Sequence, residues 1–345
     1  MNPADLLLQS YDYTLPSELI AQNPVEPRDS SRLLVVTPTR QIAHKHFWQL
    51  PDWLEAGDLL VFNNTKVIPA RLYGRKSTGA EVEVLLLEDL GGDRWYALVK
   101  PGRRLPVGSE IVFEGMRAVV RAIDPETRAR ELQFFPEGDR SFWQILEEIG
   151  QTPLPPYIQH TQATADQYQT VYASVAGSVA APTAGLHLTT ELLEKLRQKG
   201  INQAFITLHV GLGTFRPVEV ENITQHKMHS EWISVSEEVI AQIIATKERG
   251  KRVIGVGTTT ARALESSGFS AYRGKTDLMI YPSYQWRVLD GLITNFHLPK
   301  STLLMLVASF LGEGGREFLL NRIYAEAIAQ KYRFYSFGDA MLILK

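Results

Sequence analysis

The sequence predicts an α/β protein: a largely parallel-sheet α/β domain into which a small six-stranded β-barrel is inserted. Two patterns carry that expectation. After Gly177, short apolar runs alternate with amphipathic stretches, as buried parallel strands alternate with their crossover helices. Between residues 70 and 135, six short segments rich in β-forming residues are separated by turn residues, and closing them into a barrel removes exposed edges.

The elements follow in order. Tyr11-Asp12-Tyr13-Thr14-Leu15-Pro16 and Asn23-Pro24-Val25-Glu26-Pro27 have a proline density that favours ordered loops over helices. Strands are expected at 33–36 and, after the turn Ala56-Gly57-Asp58, at 59–62. The barrel strands are expected at 70–73, 80–87, 95–99, 110–113, 118–123 and 131–135; Glu81-Val82-Glu83-Val84 shows the alternation that gives a strand one buried face. A helix at 141–149 and the stiff Pro153-Leu154-Pro155-Pro156-Tyr157 lead back out. The barrel domain is therefore expected at 68–151, and the α/β domain at 1–67 and 152–345. There, helices are expected at 189–198, 237–249, 260–266, 302–311 and 316–330, with strands at 203–208, 232–235, 253–256, 278–280 and 292–294.

Composition narrows the chemistry. At 345 residues, 44% of them hydrophobic, the chain can bury the cores of two domains. With 36 basic and 38 acidic side chains there is no overall basic field, so a nucleic-acid partner needs a local patch. The absence of cysteine removes disulfides, thiolate metal sites, cysteine nucleophiles and cysteine-ligated iron–sulfur clusters. The start, Met1-Asn2-Pro3-Ala4-Asp5, carries an acid where a signal peptide needs positive charge, and the apolar run at 303–311 is too short to span a bilayer. A cytoplasmic protein is expected.

Several stretches could carry chemistry. In 177–187, GSVAAPTAGLH, small residues let backbone approach a ligand just ahead of a helix; tight packing alone would read the same way. Gly255-Val256-Gly257-Thr258-Thr259-Thr260 is a strand, a glycine turn and a helix start, able to aim N–H groups at an anion or only to turn tightly. His209 ends an apolar strand, and His226-Lys227-Met228-His229-Ser230-Glu231 follows. Imidazoles there suit acid/base work better than metal binding, although a lone histidine is often only hydrogen-bonded within the fold. Asn295 and His297 stand at another strand end, where Ser301 or Thr302 can cap the next helix. Tyr332-Arg333-Phe334-Tyr335-Ser336-Phe337-Gly338-Asp339 could stack on a purine with Arg333 on phosphate, or be an edge strand of the core.

Taken together, YDYTLPSELIAQNPVEPRDSSRLL, LLVFNNTKVIPARL, PLPPYI, YQTVYA, GSVAAPTAGLH, ITLHVGLGTFRPV, HKMHSEW, VGTTTARALES, LITNFHLPKSTLLMLV and YRFYSFGDAM resemble the S-adenosylmethionine:tRNA ribosyltransferase-isomerase family of queuosine biosynthesis, nearly end to end. Three positions depart from the family pattern: Leu188 where phenylalanine is expected, Ser283 where glycine is usual and Phe337 where tyrosine is usual.

The resemblance implies transfer and isomerisation of the ribosyl part of S-adenosylmethionine onto 7-aminomethyl-7-deazaguanine at the tRNA wobble position. Epoxyqueuosine forms, and adenine and methionine leave. S-adenosylmethionine is then a co-substrate, with no prosthetic group or metal, and a monomer is expected. The sulfonium acidifies the adjacent sugar C–H, so a base must start the rearrangement. His209 or His229 is the expected base, with Glu231 orienting it and His297 a further candidate. Gly177, Ser178, Pro182, Thr183, Gly185, His187, Gly257, Thr258 and Thr259 are expected around S-adenosylmethionine. Arg71, Arg75, Lys76, Lys100, Arg103 and Arg104 of the barrel, and Arg333, are expected to meet tRNA phosphates. A methyltransferase using the Gly255–Gly257 turn, and an RNA-binding barrel with an inert α/β domain, are the competing readings.

Overall fold

In the computed structural model, residues 2–125, 127–211 and 218–345 are described, apart from the side chain of Arg104. Nine strands make one mixed sheet: β1 (Arg32–Val36), β2 (Ile42–His46), β3 (Leu59–Asn63), β12 (Asn202–His209), β13 (Glu231–Val235), β14 (Val253–Val256), β15 (Tyr272–Thr276), β16 (Gly291–Asn295) and β17 (Ala340–Leu344), with β4 to β11 lying between β3 and β12 in the chain. Their order is β15-β13-β12-β3-β14-β16-β17-β1-β2. The central run β12-β3-β14-β16 is parallel throughout, and three of its strands, β3, β14 and β16, are buried along their whole length. Pairing is antiparallel at β15-β13, β13-β12, β16-β17 and β1-β2, and parallel at β17-β1.

Both faces of the sheet are covered, and β3 shows how its residues divide. Leu59 and Val61 pack in one core with α3 (Glu237–Glu248), α4 (Thr258–Ser267) and α5 (Thr302–Phe310), whereas Leu60 and Phe62 pack in the other with α2 (Thr190–Gln198) and the helical turns at Phe47–Trp53. The helix expected at 316–330 is present as α6 (Gly315–Phe318) and α7 (Ala325–Ala329), joined by a π-helical stretch, Leu319–Tyr324.

The expected strand at 278–280 is not one. The neighbouring strand is β15, which is largely exposed, and Leu278 spends its backbone on side chains instead: its N–H donates to Thr276 Oγ1 (3.2 Å) and its carbonyl accepts Arg262 Nε (3.1 Å). Leu278 is thereby tied down without a ladder.

The inserted barrel is closed and wholly antiparallel, in the order β10-β7-β6-β5-β8-β9, from β5 (Arg71–Lys76), β6 (Glu81–Gly91), β7 (Arg94–Lys100), β8 (Glu110–Phe113), β9 (Met116–Ile123) and β10 (Arg130–Pro136). A Cβ on Gly74 would stand 2.7 Å from the Phe113 ring, so the barrel interior requires glycine there. Helix α1 (Phe142–Ile149), opened by a Ser141–Gln144 capping box, packs Phe142 onto Trp95 (5.7 Å) and Phe134 (5.0 Å). Entry and exit lie side by side, since Arg71 and Gln151 exchange both backbone hydrogen bonds (3.0 and 2.8 Å). Two short strands, β4 (Thr65–Val67) and β11 (Val175–Ser178), pair beside this crossing.

At the opposite end of the main sheet, buried Asp58 accepts the N–H groups of Glu55 (2.8 Å) and Arg252 (3.0 Å) and pairs with the Arg252 guanidinium (2.5 Å). Burial alone would raise its pKa, but the bonds to Arg252 and Glu55 outweigh it and hold the carboxyl below its ordinary value. A depressed folded pKa contributes stability that is full above the unfolded carboxylate range and lost as pH falls through the folded value. Asp58→Asn is expected to cost about 2 kcal/mol at pH 7 and to flatten the acid limb of stability, read by denaturant unfolding between pH 7 and 3.

Candidate active site at the sheet edge

The parallel strands β12, β3, β14 and β16 all end at one edge of the sheet, where open α/β sheets usually bind ligands. His209, Gly257 and His297 lie at or just beyond those ends. Asp339 immediately precedes antiparallel β17 at the same edge, and the 177–187 segment packs there through Thr183 and Ala184. Two cavities open beside this edge.

The first, about 620 Å³, is walled by Pro182, Thr183, Gly257, Thr259, His297 and Tyr335 among others. Strand β14 enters it through Gly257, whose φ of +94° favours glycine, and whose N–H is tied to the Ile293 carbonyl (2.7 Å). Helix α4 begins at the next residue with no side-chain cap, so its first N–H groups face the cavity region with the positive end of the helix dipole. Thr258 and Thr259 sit in that first turn. Asn63 Nδ2 reaches Thr259 Oγ1 at 3.4 Å.

The small residues of 177–187 divide into two groups. Pro182 and Thr183 line the cavity, but Ser178 serves the backbone, donating to the Ala180 carbonyl (2.7 Å) and accepting the Val210 N–H (2.9 Å). A Cβ on Gly177 would come within 2.9 Å of the His209 ring, and one on Gly185 within 2.0 Å of the Tyr172 hydroxyl. These two glycines make room for side chains of the protein itself, where the sequence suggests room for a ligand. His187 is buried behind the cavity, stacked on Phe47 (4.9 Å), with Nδ1 2.7 Å from Ser31 Oγ and Nε2 3.1 Å from Asn295 Nδ2.

His297 lies on the cavity wall with Nε2 2.8 Å from Thr294 Oγ1; its N–H donates to the Tyr324 hydroxyl (2.8 Å) and its carbonyl accepts that of Tyr13 (2.5 Å). Burial pushes its pKa down to about 3, and burial with Arg333 nearby does the same for His187. Both rings are neutral at pH 7. Tyr335 is 93% buried (7% exposed) with φ +73°, and its hydroxyl has no partner among the described residues.

The second cavity, about 590 Å³, is the cleft between barrel and sheet. Gly177, His209, His229, Glu231 and Trp232 line it from the sheet side, and Asp124 and Trp143 from the barrel side. His209 is stacked on Trp232 (5.1 Å, 19° between planes), and its Nδ1 lies 2.8 Å from Thr65 Oγ1. Burial lowers its pKa to about 4, so it too is a neutral imidazole. Thr65 and Trp232 therefore orient this histidine, in the place the sequence reading gives to Glu231. Glu231 is buried and ion-paired with Arg262 of α4. A Lys275–Glu88 ion pair (2.6 Å) ties β15 to barrel strand β6 beside the cleft.

The expected catalytic residues thus fall in two groups, His297 in the first cavity and His209, His229 and Glu231 in the second. The 177–184 segment runs from one to the other. Residues 212–217, from the motif after His209, lie outside the described residues. Sequence reasoning gave no role to Thr65, to Arg262 or to Tyr157, whose hydroxyl lies 2.5 Å from Ser336 Oγ beside the first cavity; each stands far along the chain from what it contacts, and membership of a quoted motif was the one signal each carried.

Asp339 is structural in its contacts: its carboxylate accepts the N–H groups of Arg32 and Arg333 (both 2.8 Å). The aromatic run before it is mostly core, with Tyr332 and Phe334 fully buried and Phe334 5.0 Å from Phe296, while Tyr335 lines the first cavity and Phe337 a small pocket beside His187. Arg333 is half-buried and donates to the Asn23 carbonyl. On the barrel, Arg71 pairs with Glu83 and Arg75 with Glu81 (3.2 Å each), Lys76 is half-buried, Lys100 and Arg103 are exposed, and the Arg104 side chain lies outside the described residues. Among the three departures, Leu188 is buried, Phe337 packs edge-on to Tyr168 (5.9 Å), and Ser283 holds φ +80°, a conformation that accounts for glycine being usual there. Among the described residues, no group of three or more His, Asp or Glu could hold a metal ion, and no helix is long and apolar enough to cross a membrane.

Comparison with known proteins covers nearly the whole chain. A family model described as "Queuosine biosynthesis protein" matches residues 8–343. An S-adenosylmethionine:tRNA ribosyltransferase-isomerase from Nostoc sp. is 57% identical over 99% of this chain and 92% of its own. One of the same name from Thermotoga petrophila is 52% identical over 98% of this chain and 99% of its own. A crystal structure of S-adenosylmethionine tRNA ribosyltransferase from Thermotoga maritima is 41% identical, covers 97% of this chain and 100% of its own, and superposes with a TM-score of 0.55. With the sheet-edge site and matches of this length, the chain belongs to the queuosine biosynthesis protein family.

Proposed function

We propose that this protein transfers and isomerises the ribosyl moiety of S-adenosylmethionine onto 7-aminomethyl-7-deazaguanine at the wobble position of tRNA, yielding epoxyqueuosine-tRNA, adenine and methionine. The names of its relatives supply the two substrate classes. The observation that carries the reading is that two cavities flank one segment at one sheet edge, because a reaction joining two substrates needs sites that share a wall.

The first cavity takes S-adenosylmethionine. Its methionine carboxylate meets the uncapped first turn of α4 at Gly257, Thr258 and Thr259, while Pro182 and Thr183 line the opposite wall. Ser178, Gly185 and His187 hold that wall in place from behind. The cleft takes the modified base, and His209 is the base that removes the sugar proton made acidic by the sulfonium. Burial keeps its imidazole free of a proton at neutral pH, and Thr65 fixes the ring. His229 lines the same cleft, and His297 is a second neutral imidazole beside the co-substrate. Residues 68–151 act as a barrel domain on the discontinuous α/β domain, 1–67 and 152–345. Lys76, Lys100, Arg103 and Arg104 meet tRNA phosphates, and Arg71 and Arg75 exchange their glutamates for phosphate oxygens. The protein works as a cytoplasmic monomer.

Incubation with S-adenosylmethionine and tRNA carrying the deazaguanine precursor tests the reading by its small products. Adenine and methionine are expected. S-adenosylhomocysteine would mean methyl transfer, and tRNA binding without turnover would leave only an RNA-binding barrel.

A further inference from the structure

We infer that Thr183 is a fixed hydrogen-bond acceptor in the first cavity, reading one donor group of the ligand, and that Asn295 and His187 set it that way. The inference rests on S-adenosylmethionine occupying that cavity. The Tyr335 carbonyl can only accept, so the Asn295 side-chain atom 3.2 Å from it is the amide nitrogen. That same nitrogen lies 3.1 Å from His187 Nε2, so Nε2 is the accepting nitrogen and the ring proton sits on Nδ1, donating to Ser31 Oγ (2.7 Å). The remaining Asn295 atom is its carbonyl oxygen, which has no proton to give, so Thr183 Oγ1 donates to it at 3.0 Å. The one hydroxyl proton of Thr183 is thereby spent, and only lone pairs are left for the cavity that this residue lines.

Four groups of S-adenosylmethionine can donate to such an acceptor: the two ribose hydroxyls, the 6-amino group of adenine and the α-ammonium. A thymine-like or inosine-like edge, which offers an acceptor in place of the amino group, would meet two facing lone pairs if the amino group is the one read. His187 and Asn295 are positioning residues, acting through Thr183.

Equilibrium binding of S-adenosylmethionine to the full-length protein tests this, with Thr183→Val and Thr183→Ser and thermal melting as a folding control. Thr183→Val is expected to weaken binding about 10- to 100-fold, because the bound donor loses its partner in a desolvated site. Thr183→Ser should stay within about 3-fold of the parent, since it keeps the oxygen. Four analogues, each lacking one donor (2′-deoxy, 3′-deoxy, 6-deamino and α-deamino), are then bound to parent and Thr183→Val. One of them should bind both equally. If Thr183→Val binds S-adenosylmethionine like the parent, or weakens all four analogues by one common factor, the acceptor role is overturned while the co-substrate site stands. If the parent itself binds no S-adenosylmethionine, the placement of the co-substrate fails, and the inference with it, before any variant is made.

Discussion

Arg262→Met is expected to lower the unfolding free energy by about 3–5 kcal/mol, the largest stability loss we foresee for a single substitution near the site. Arg262 and Glu231 are both only 4% exposed, and the guanidinium also donates to the Leu278 carbonyl. Methionine matches the stem of arginine but leaves the Glu231 carboxylate buried without that counter-charge. The loss comes from removing this counter-charge from a buried carboxylate, so it should shrink in the double variant Arg262→Met with Glu231→Leu. Denaturant unfolding of the two single variants and the double variant checks this. A loss below about 1 kcal/mol for Arg262→Met would show that the pair does not hold β13 against α4.

The second large effect is on rate. His209→Gln is expected to slow single-turnover release of adenine by about 10²- to 10⁴-fold, the usual contribution of a positioned general base, with little change in melting temperature. Near-normal turnover in the folded variant would remove His209 from the chemistry and leave His229 or His297 for the role. The pH profile carries a second signature. With a pKa near 4, His209 stays unprotonated well into mild acid, so the acid limb of the rate should lie near pH 4 and not near the ordinary imidazole value of 6.5. Stability sets the floor of that measurement. His187, His209 and His297 all titrate lower in the folded state than in the unfolded chain. Their neutral burial is therefore stabilising above pH 6.5, and that contribution is lost as pH falls toward 4 and 3.

What the sequence disclosed follows from what leaves a linear trace. The barrel strands were legible because alternation and turn residues recur within each hairpin, and β3, β14 and β16 because burial on both faces makes a strand uniformly apolar. Edge strand β15, Tyr-Arg-Gly-Lys-Thr, has no such trace, and its apolar neighbour Leu278 drew the expectation instead. In the site, strand ends and glycine turns marked the positions of His209, Gly257 and His297. Their division between two cavities had no linear signal, nor did the contact of Thr65 with His209 or the diversion of Glu231 to Arg262. Such partners are set by which strands become neighbours, and that is decided across the whole sheet.

The place of β17 has a consequence for how the chain is made. This strand lies between β16 and β1, and β1 and β2 reach the rest of the sheet only through it. During synthesis the β1–β2 hairpin leaves the ribosome early and must wait, with the apolar side chains of Leu33 to Val36 unsheltered by a sheet, until residues 340–344 emerge. The β1–β2 hairpin therefore joins the sheet only after β17, about 300 residues further along the chain, is free to pair with it.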